Sequence, residues 1–469
     1  MKKALLVKPS DSYSYAIIPN LGLGYLAAWL RRDGFEAYIL DCNKESIDAE
    51  SFAAYLMRNE FHLVGFQVYT SNLYNTGEMT KITRRLMKDA IIVIGGPHPS
   101  GDPEHALDFL QEVDCAVVGE GELAIAELMK LSRSDMGNAS VLSNINNIAF
   151  RDKEKGLTIN KRIFIENLDE IPMPAWDLID PRTYPISPHG TFARAYPVAP
   201  IITTRGCSCP CTFCAAFRIV GRKVRSRSAA SVLDEITHLY REYKVREFHI
   251  EDDNFTFQKD YVMRIADGIM ERGLDIRWAC PNGIRIDKID EEVLSRMEQS
   301  GCYSISFGIE SGSNRVLRAM KKNLTIEEIE AKIVMIKKSS RMNVTGFFLI
   351  GYPGETEEDI RETLRFSRRL KIDKASFSPV MPLPGSEIYR GWKKKIGATP
   401  IDWKRFLYYQ FIPFVSDVDE KKLKRYIKMA VWGFYIRPRI IIGILREIKT
   451  FHQVKVLLKR ARTIFFLNR

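Results

Sequence analysis

The 469-residue chain has no apolar run of the roughly 20 residues that a membrane-spanning helix needs. Its most apolar late stretches, residues 430–436 and 440–445, are short and bounded by charge. There is no disulfide framework either. Of eight cysteines, four crowd one loop, and Cys42, Cys115, Cys280 and Cys302 are scattered, mostly within apolar runs. That pattern excludes a small secreted scaffold and fits a reducing cytosol. The first apolar run is too short for a signal peptide and no cleavage pattern follows it, so a cytoplasmic location is expected. Internal repeats and low-complexity tracts are absent, which excludes repeat architectures. A net positive charge is missing from residues 1–420. Residues 421–469 hold fourteen Lys and Arg and one acid, Glu447, so the net charge of +12 belongs to the tail and the rest sums to −1. An anionic partner is therefore to be sought at the tail. Apolar residues dominate those basic runs and no recognised RNA-binding module occurs, so nucleic acid is not an expected partner.

What is present is a globular composition, 45% hydrophobic and 27% charged, long enough for about three domains. Its focus is the stretch 201–217, which reads Ile-Ile-Thr-Thr-Arg-Gly-Cys-Ser-Cys-Pro-Cys-Thr-Phe-Cys-Ala-Ala-Phe. A β-branched strand, 201–204, runs into Cys207, Cys211 and Cys214 at C-x3-C-x2-C spacing. Gly206 and Pro210 make a loop in which thiolates can turn toward one centre. Three thiolates suit an iron–sulfur cluster with one iron left open, as a catalytic metal requires. A zinc site completed by Cys209 is the alternative, but zinc sites usually pair two C-x2-C knuckles and no second knuckle exists.

The spacing, the preceding strand and the aromatic Phe213 together resemble the cluster loop of the radical S-adenosylmethionine (radical SAM) family. The resemblance implies a 4Fe-4S cluster on Cys207, Cys211 and Cys214, with the methionine amine and carboxylate of S-adenosylmethionine on the fourth iron. It also implies an electron donor such as flavodoxin or ferredoxin.

Ahead of this loop, apolar strands at 4–8, 37–40, 63–69, 91–94 and 115–118 alternate with amphipathic helices such as 22–33 and 76–88. That alternation predicts a doubly wound parallel α/β sheet over residues 1–132. Ligands bind such sheets beyond the carboxyl strand ends, where Tyr69-Thr70-Ser71, Gly95-Gly96-Pro97-His98 and Gly119-Glu120-Gly121-Glu122 fall. The arrangement resembles the cobalamin-binding domain that precedes many radical SAM cores. By that resemblance Thr70, Ser71, Gly95, Gly96 and Glu120 would line the cofactor, glycine allowing close backbone approach. The D-x-H-x-x-G signature of histidine-on cobalamin binding is missing. Glu60-Phe-His62-Leu-Val-Gly65 is a near miss at the wrong sheet end, so His62 reads as a strand-edge residue. The loop 9–22, with Asp11, Tyr13 and Tyr15, would face the lower side of the corrin, and His98 reads as a polar loop residue. The alternative is a flavodoxin-like domain that binds another nucleotide or nothing.

Residues 133–197 read as a linker. Strands 148–151 and 158–164 flank Lys153-Glu-Lys-Gly156 as a hairpin, and a Pro-bounded connector and an aromatic cover follow. From 198 to 390 a second alternation begins. Strands are expected at 201–204, 247–251, 276–279, 304–309, 344–350 and 374–377, matching the partial (β/α)6 barrel of the resembled family. Barrel chemistry sits at the carboxyl strand ends. There lie Glu251-Asp252-Asp253-Asn254, whose acids could accept the methionine ammonium, with helix capping as the alternative for Asp253 or Asn254. Arg285 could fork onto the methionine carboxylate or make a surface salt bridge. By resemblance, Glu310 and Ser311 in Gly308-Ile-Glu-Ser-Gly312 would meet ribose and amino acid, and Gly351 before Tyr-Pro-Gly-Glu355 would adjoin adenine.

Residues 391–469 carry aromatics (Trp403, Phe406, Tyr408, Tyr409, Phe411) and then basic helices. They suit an anionic membrane surface or a helical cap with its basic face in water. The resemblance over residues 1–390 implies a cobalamin-dependent radical SAM methyltransferase acting on unactivated carbon of a small-molecule or lipid-like substrate. The alternatives are a ring-forming or oxidative enzyme of tetrapyrrole or isoprenoid metabolism, and a non-enzymatic metal- or corrinoid-binding module.

Overall fold

The computed structural model describes residues 1–11, 17–185, 193–397, 399–407, 410–448 and 454. Tyr13, Tyr15, Tyr408 and Tyr409 lie outside the described residues. The first sheet contains β1 (Lys3–Lys8), β2 (Glu36–Asp41), β3 (Leu63–Gln67), β4 (Ile91–Gly95), β5 (Cys115–Val117), β6 (Ile148–Asp152) and β7 (Gly156–Ile159). Its order is β2-β1-β3-β4-β5-β6-β7. The first five strands pair in parallel. Their sequences are continuous apolar runs because both faces are covered. Leu5, Val7, Val64, Phe66, Ile92 and Ile94 enter one core, while Ala4, Leu6, Leu63, Ile91 and Val93 enter another. The order reverses between β1 and β3, which opens the crevice where such sheets take ligands.

The hairpin of the expected linker departs from the sequence reading. It is antiparallel and extends this sheet through Cys115↔Phe150, Ala116↔Ala149 and Val117↔Ile148. It thereby covers the edge that β5 would otherwise expose. β7 ends at Ile159 instead of reaching residue 164. The connector beyond it packs as a cover. Ile171, Trp176 and Ile179 are buried in the second core, and the Trp176 indole donates to Glu235 Oε1 at 3.0 Å.

The second sheet is wholly parallel, ordered β15-β14-β13-β12-β11-β8. Its strands are β8 (Val198–Ile201), β11 (Glu247–Ile250), β12 (Arg277–Ile284), β13 (Cys302–Glu310), β14 (Asn343–Ile350) and β15 (Lys374–Pro379). Between β8 and β11 a two-stranded antiparallel ribbon, β9 (Thr204–Arg205) and β10 (Arg225–Ser226), brackets the cysteine loop. This barrel is open, and the helix Glu420–Tyr435 lies along the free edge of β15. Leu423, Ile427, Ala430 and Phe434 are buried there. Tyr435 donates its hydroxyl proton to Ala375 O at 2.7 Å and accepts from Ala375 N at 3.3 Å, serving both backbone groups of an edge residue. The cap role of the tail is thus borne by this helix. No described helix is long and apolar enough to cross a membrane.

Candidate active site

The cysteine loop grows from the neck formed by β9 and β10. Gly206 sits at φ +103, and a Cβ there would lie 2.1 Å from Lys223 O, so only glycine permits the two arms to approach so closely. The middle of the loop is held by Thr212. Its N–H donates to Met320 O at 3.1 Å, and its hydroxyl meets the Tyr352 hydroxyl at 2.7 Å. Cys207, Cys209, Cys211 and Cys214 are all half-buried free thiols. Burial raises the Cys211 and Cys214 thiols. The Cys207 thiol donates to Cys209, which raises the first and lowers the second to about 6, with Arg285 and Lys322 adding to the second effect.

Asp253 acts electrostatically on Cys207 and Cys214, and Lys322, Arg285 and Glu310 on Cys211. Two carboxylates and two cations therefore border the three thiols. No group of three or more His, Cys, Asp or Glu among the described residues converges as ligands of a single ion. A cubane carries its thiolates on different irons, so three thiols of one loop can hold it without converging on a single point as zinc ligands must.

The acidic cluster after β11 divides. Asp252 is buried, accepting from Thr203 N at 2.6 Å, Thr203 Oγ1 at 2.5 Å and Thr204 Oγ1 at 2.9 Å. Burial raises its carboxyl to about 6 despite these bonds. Its acceptor capacity serves the loop base, so the expectation that Asp252 faces the ammonium is corrected. Asp253 is exposed and stands beside Cys207 and Cys214, where partial desolvation of the carboxyl raises it. Glu251 is half-buried, and its carbonyl accepts from Asn282 Nδ2 at 3.1 Å.

Arg285 donates Nε to Asp287 at 2.7 Å and Nη1 to Cys209 Sγ at 3.4 Å and Lys322 O at 3.3 Å. Lys322, which the sequence reading missed, is buried and pairs with Glu310 at 2.9 Å. Burial works against this ammonium, but Glu310 holds it above its ordinary range. Glu310 occupies the left-handed region, φ +68, a strain typical of functional positions. Gly308 makes room for the pair, since a Cβ there would lie 2.2 Å from Glu310 Oε1 and 2.9 Å from Lys322 Nζ. Ser311 is a second correction. It is fully buried, its hydroxyl 3.1 Å from Thr363 Oγ1 and accepting from Ser313 N, so it locks the following helix and is not open to a cofactor. Gly351, φ +88, donates its N–H to Glu355 Oε2 at 2.6 Å. Burial raises Glu355 to about 7, and its Oε1 has no partner.

At the first sheet, Thr70 Oγ1 lies 3.0 Å from His98 Nδ1, and His98 Nε2 lies 3.0 Å from His105 Nδ1. Ser71 donates to Asp11 at 2.6 Å. Gly96, φ +105, packs so closely that a Cβ would lie 3.1 Å from Val68 O. His62 precedes β3 at the opposite sheet end and bonds Leu131 O at 2.8 Å, as a strand-edge residue would. Glu120 is the third correction. It is buried in a bidentate pair with Arg225 at 2.7 and 3.0 Å and meets Arg205 at 3.4 Å, so it does not face a corrin. Burial opposes charge on the neighbouring Glu122, but Arg205 at 2.6 Å keeps it below the ordinary carboxylate range. The only sequence signal for this network was a charged residue, Arg205, inside a β-branched run.

Comparison with known proteins agrees with this geometry. Residues 12–129 match the model of the B12 binding domain, and residues 201–367 match that of the Radical SAM superfamily. The cytidylyl-2-hydroxyethylphosphonate methyltransferase of Streptomyces wedmorensis is 30% identical over 83% of this chain and 81% of its own length. An uncharacterized methyltransferase of Pyrococcus horikoshii is 29% identical over 94% of each. The fold is similar to that of the radical SAM methyltransferase TsrM from Kitasatospora setae, solved with cobalamin and a [4Fe-4S] cluster. That likeness has a TM-score of 0.71 and 17% identity over 99% of this chain and 100% of the other. An amino-terminal B12-binding sheet, a three-cysteine loop and an open parallel barrel, together with a 30%-identical relative, place this chain in the cobalamin-dependent branch of the radical SAM enzymes.

Proposed function

We propose that the protein is a methyltransferase that places a methyl group on an unactivated carbon of a small-molecule or lipid-like substrate. The observation that carries the reading is the seat of the cysteine loop. It lies against the carboxyl end of a B12-binding sheet and at the carboxyl end of a radical SAM barrel, so two cofactors can address one substrate. When bound, the cluster and S-adenosylmethionine supply a 5′-deoxyadenosyl radical, and cobalamin supplies the methyl group.

The chain's own part is holding and alignment. Cys207, Cys211 and Cys214 would carry the cluster. Asp253 would accept the methionine ammonium, and Arg285 with Lys322 would offer positive charge to the carboxylate. The Gly351 turn, fixed by Glu355, would border the adenine. Thr70, Ser71, Gly95 and Gly96 would line the corrin. An external donor such as flavodoxin or ferredoxin would deliver the electron.

Anaerobic protein, reconstituted and given S-adenosylmethionine and reductant, should form 5′-deoxyadenosine and S-adenosylhomocysteine. A methylated product should be heavier by about 14 Da, one CH2. Loss of hydrogens instead would favour the ring-forming alternative, and no cofactor cleavage under several reductants would sink the enzyme reading.

The tail supports an interfacial role as well. Met429, Trp432 and Ile436 recur at helical spacing on the side of their helix away from β15, and Ile442 and Leu445 follow on the next helix. All are exposed. With Lys428, Arg437, Arg439 and Arg446 beside them, they suit an anionic membrane surface. Flotation with anionic liposomes is the expected result, and its absence at low salt would remove this part.

A further inference from the structure

The cysteine loop touches the B12-binding domain through an arrangement that chain connectivity does not require. Arg205 and Arg225 are cross-strand partners in the β9–β10 ribbon, so they stand side by side at the neck of the loop. Both point out of the barrel into Glu120 and Glu122, which follow β5 of the first sheet. Arg225 takes Glu120 in a two-bond fork at 2.7 and 3.0 Å, and Arg205 bridges Glu122 at 2.6 Å and Glu120 at 3.4 Å. Two acids and two bases, all buried, compensate one another. Arg225 also donates to Val220 O on the far arm of the loop and to Ile165 O on the connector.

The far arm has a second mooring. Arg162 donates to both Arg218 O at 3.0 Å and Ser100 O at 2.8 Å, joining it to the helix that follows Gly96. The loop is therefore fixed at both ends to the sheet whose carboxyl edge would hold the corrin.

A buried ion-pair set is a poor source of net stability, because desolvation offsets its attraction. Hydrophobic side chains would join two domains at lower cost. Paired forks do supply geometry, since a bidentate guanidinium–carboxylate pair tolerates little rotation or slip. We propose that Glu120, Glu122, Arg205 and Arg225 are positioning residues that lock the cysteine loop onto the B12-binding domain and thereby set the separation between cluster and cobalt. This inference rests on the cofactor reading above.

The test uses the anaerobic holoenzyme with its cobalamin reduced to cob(II)alamin and its cluster to the paramagnetic +1 state. Dipolar relaxation EPR then measures the distance between the two spins. Native protein should give one narrow distribution. R225K keeps the charge but loses the fork, and E120Q keeps the shape but loses the charge. Each should widen the distribution on the order of two-fold, since a buried partner is left imperfectly compensated. Iron and corrin content should stay at native levels. The swapped double variant E120R/R225E should narrow the distribution again relative to either single charge reversal. If E120Q fails to retain both cofactors, R225K alone carries the measurement. An unchanged distribution in fully loaded R225K overturns the proposal. Absence of iron or corrin from the native protein would instead defeat the functional reading.

Discussion

Asp252 and Asp253 are adjacent in sequence and opposite in circumstance. Asp252 ties the Thr203 amide and two threonine hydroxyls at the base of the cysteine loop, whereas Asp253 stands exposed beside the thiols. Asp252→Ala leaves a buried amide unpaired, which costs roughly 1–3 kcal/mol and should appear as a lower midpoint in anaerobic thermal unfolding. Asp253→Asn should leave that midpoint and the iron content alone while weakening S-adenosylmethionine binding about ten-fold, the order of one charge-assisted hydrogen bond. Equal effects of the two changes on both readouts would refute the division. Glu355 gives a pH signature. Burial raises its folded pKa to about 7, above the unfolded value near 4.3. The folded state therefore binds the proton more tightly. Its contribution is fully present below the unfolded pKa and is lost as pH rises through about 7. Unfolding midpoints of the native chain should fall between about pH 4.5 and 7 relative to those of E355Q, whose amide keeps an oxygen for the Gly351 and Tyr352 amides, and the difference should level off above about pH 7.

At the level of elements, the helix Glu420–Tyr435 completes the barrel. Phe434 is fully buried, 6.4 Å from the Phe377 ring of β15. Phe434→Ala should cost about 3–5 kcal/mol, read as a shifted denaturant midpoint with iron content retained in the folded fraction. A shift below about 1 kcal/mol would mean that the helix is only loosely seated. Continuous apolar runs alternating with helical patterning made the parallel strands and their crossover helices legible in the sequence, because such runs report burial on both faces. Two features were not. Strand β12 was expected over residues 276–279. It runs to Ile284 because the register slips between Cys280 and Ile284, a bulge that accommodates Pro281 and Gly283. The hairpin 148–159 was recognised, but its docking on β5 depends on pairing between distant segments that no local pattern records. In the site, the three cysteines were legible from spacing. Lys322, Arg205 and Arg225 were not, since a buried cation is indistinguishable in sequence from a surface one until its partner is placed.

The whole molecule segregates its charge, with near neutrality over residues 1–420 and an excess of thirteen positive charges beyond them. Part of that excess lies on a helix whose one stripe is committed to β15 and whose other stripe exposes Met429, Trp432 and Ile436. Two forces would then act at an anionic bilayer, and they separate experimentally. Coulomb attraction contributes about 1 kcal/mol per basic residue near the surface and decays within a Debye length of about 8 Å at physiological salt. Burial of the apolar stripe is nearly indifferent to salt at these concentrations. Binding to anionic vesicles should therefore weaken steeply as salt rises but level off at a residual affinity. Trp432→Ser with Ile436→Ser should remove that residue of binding and leave the salt slope in place. Lys428→Gln with Arg439→Gln should flatten the slope and leave the residue. If the serine pair changes nothing at high salt, the exposed stripe is not inserted in lipid, and the basic tail alone accounts for any attraction.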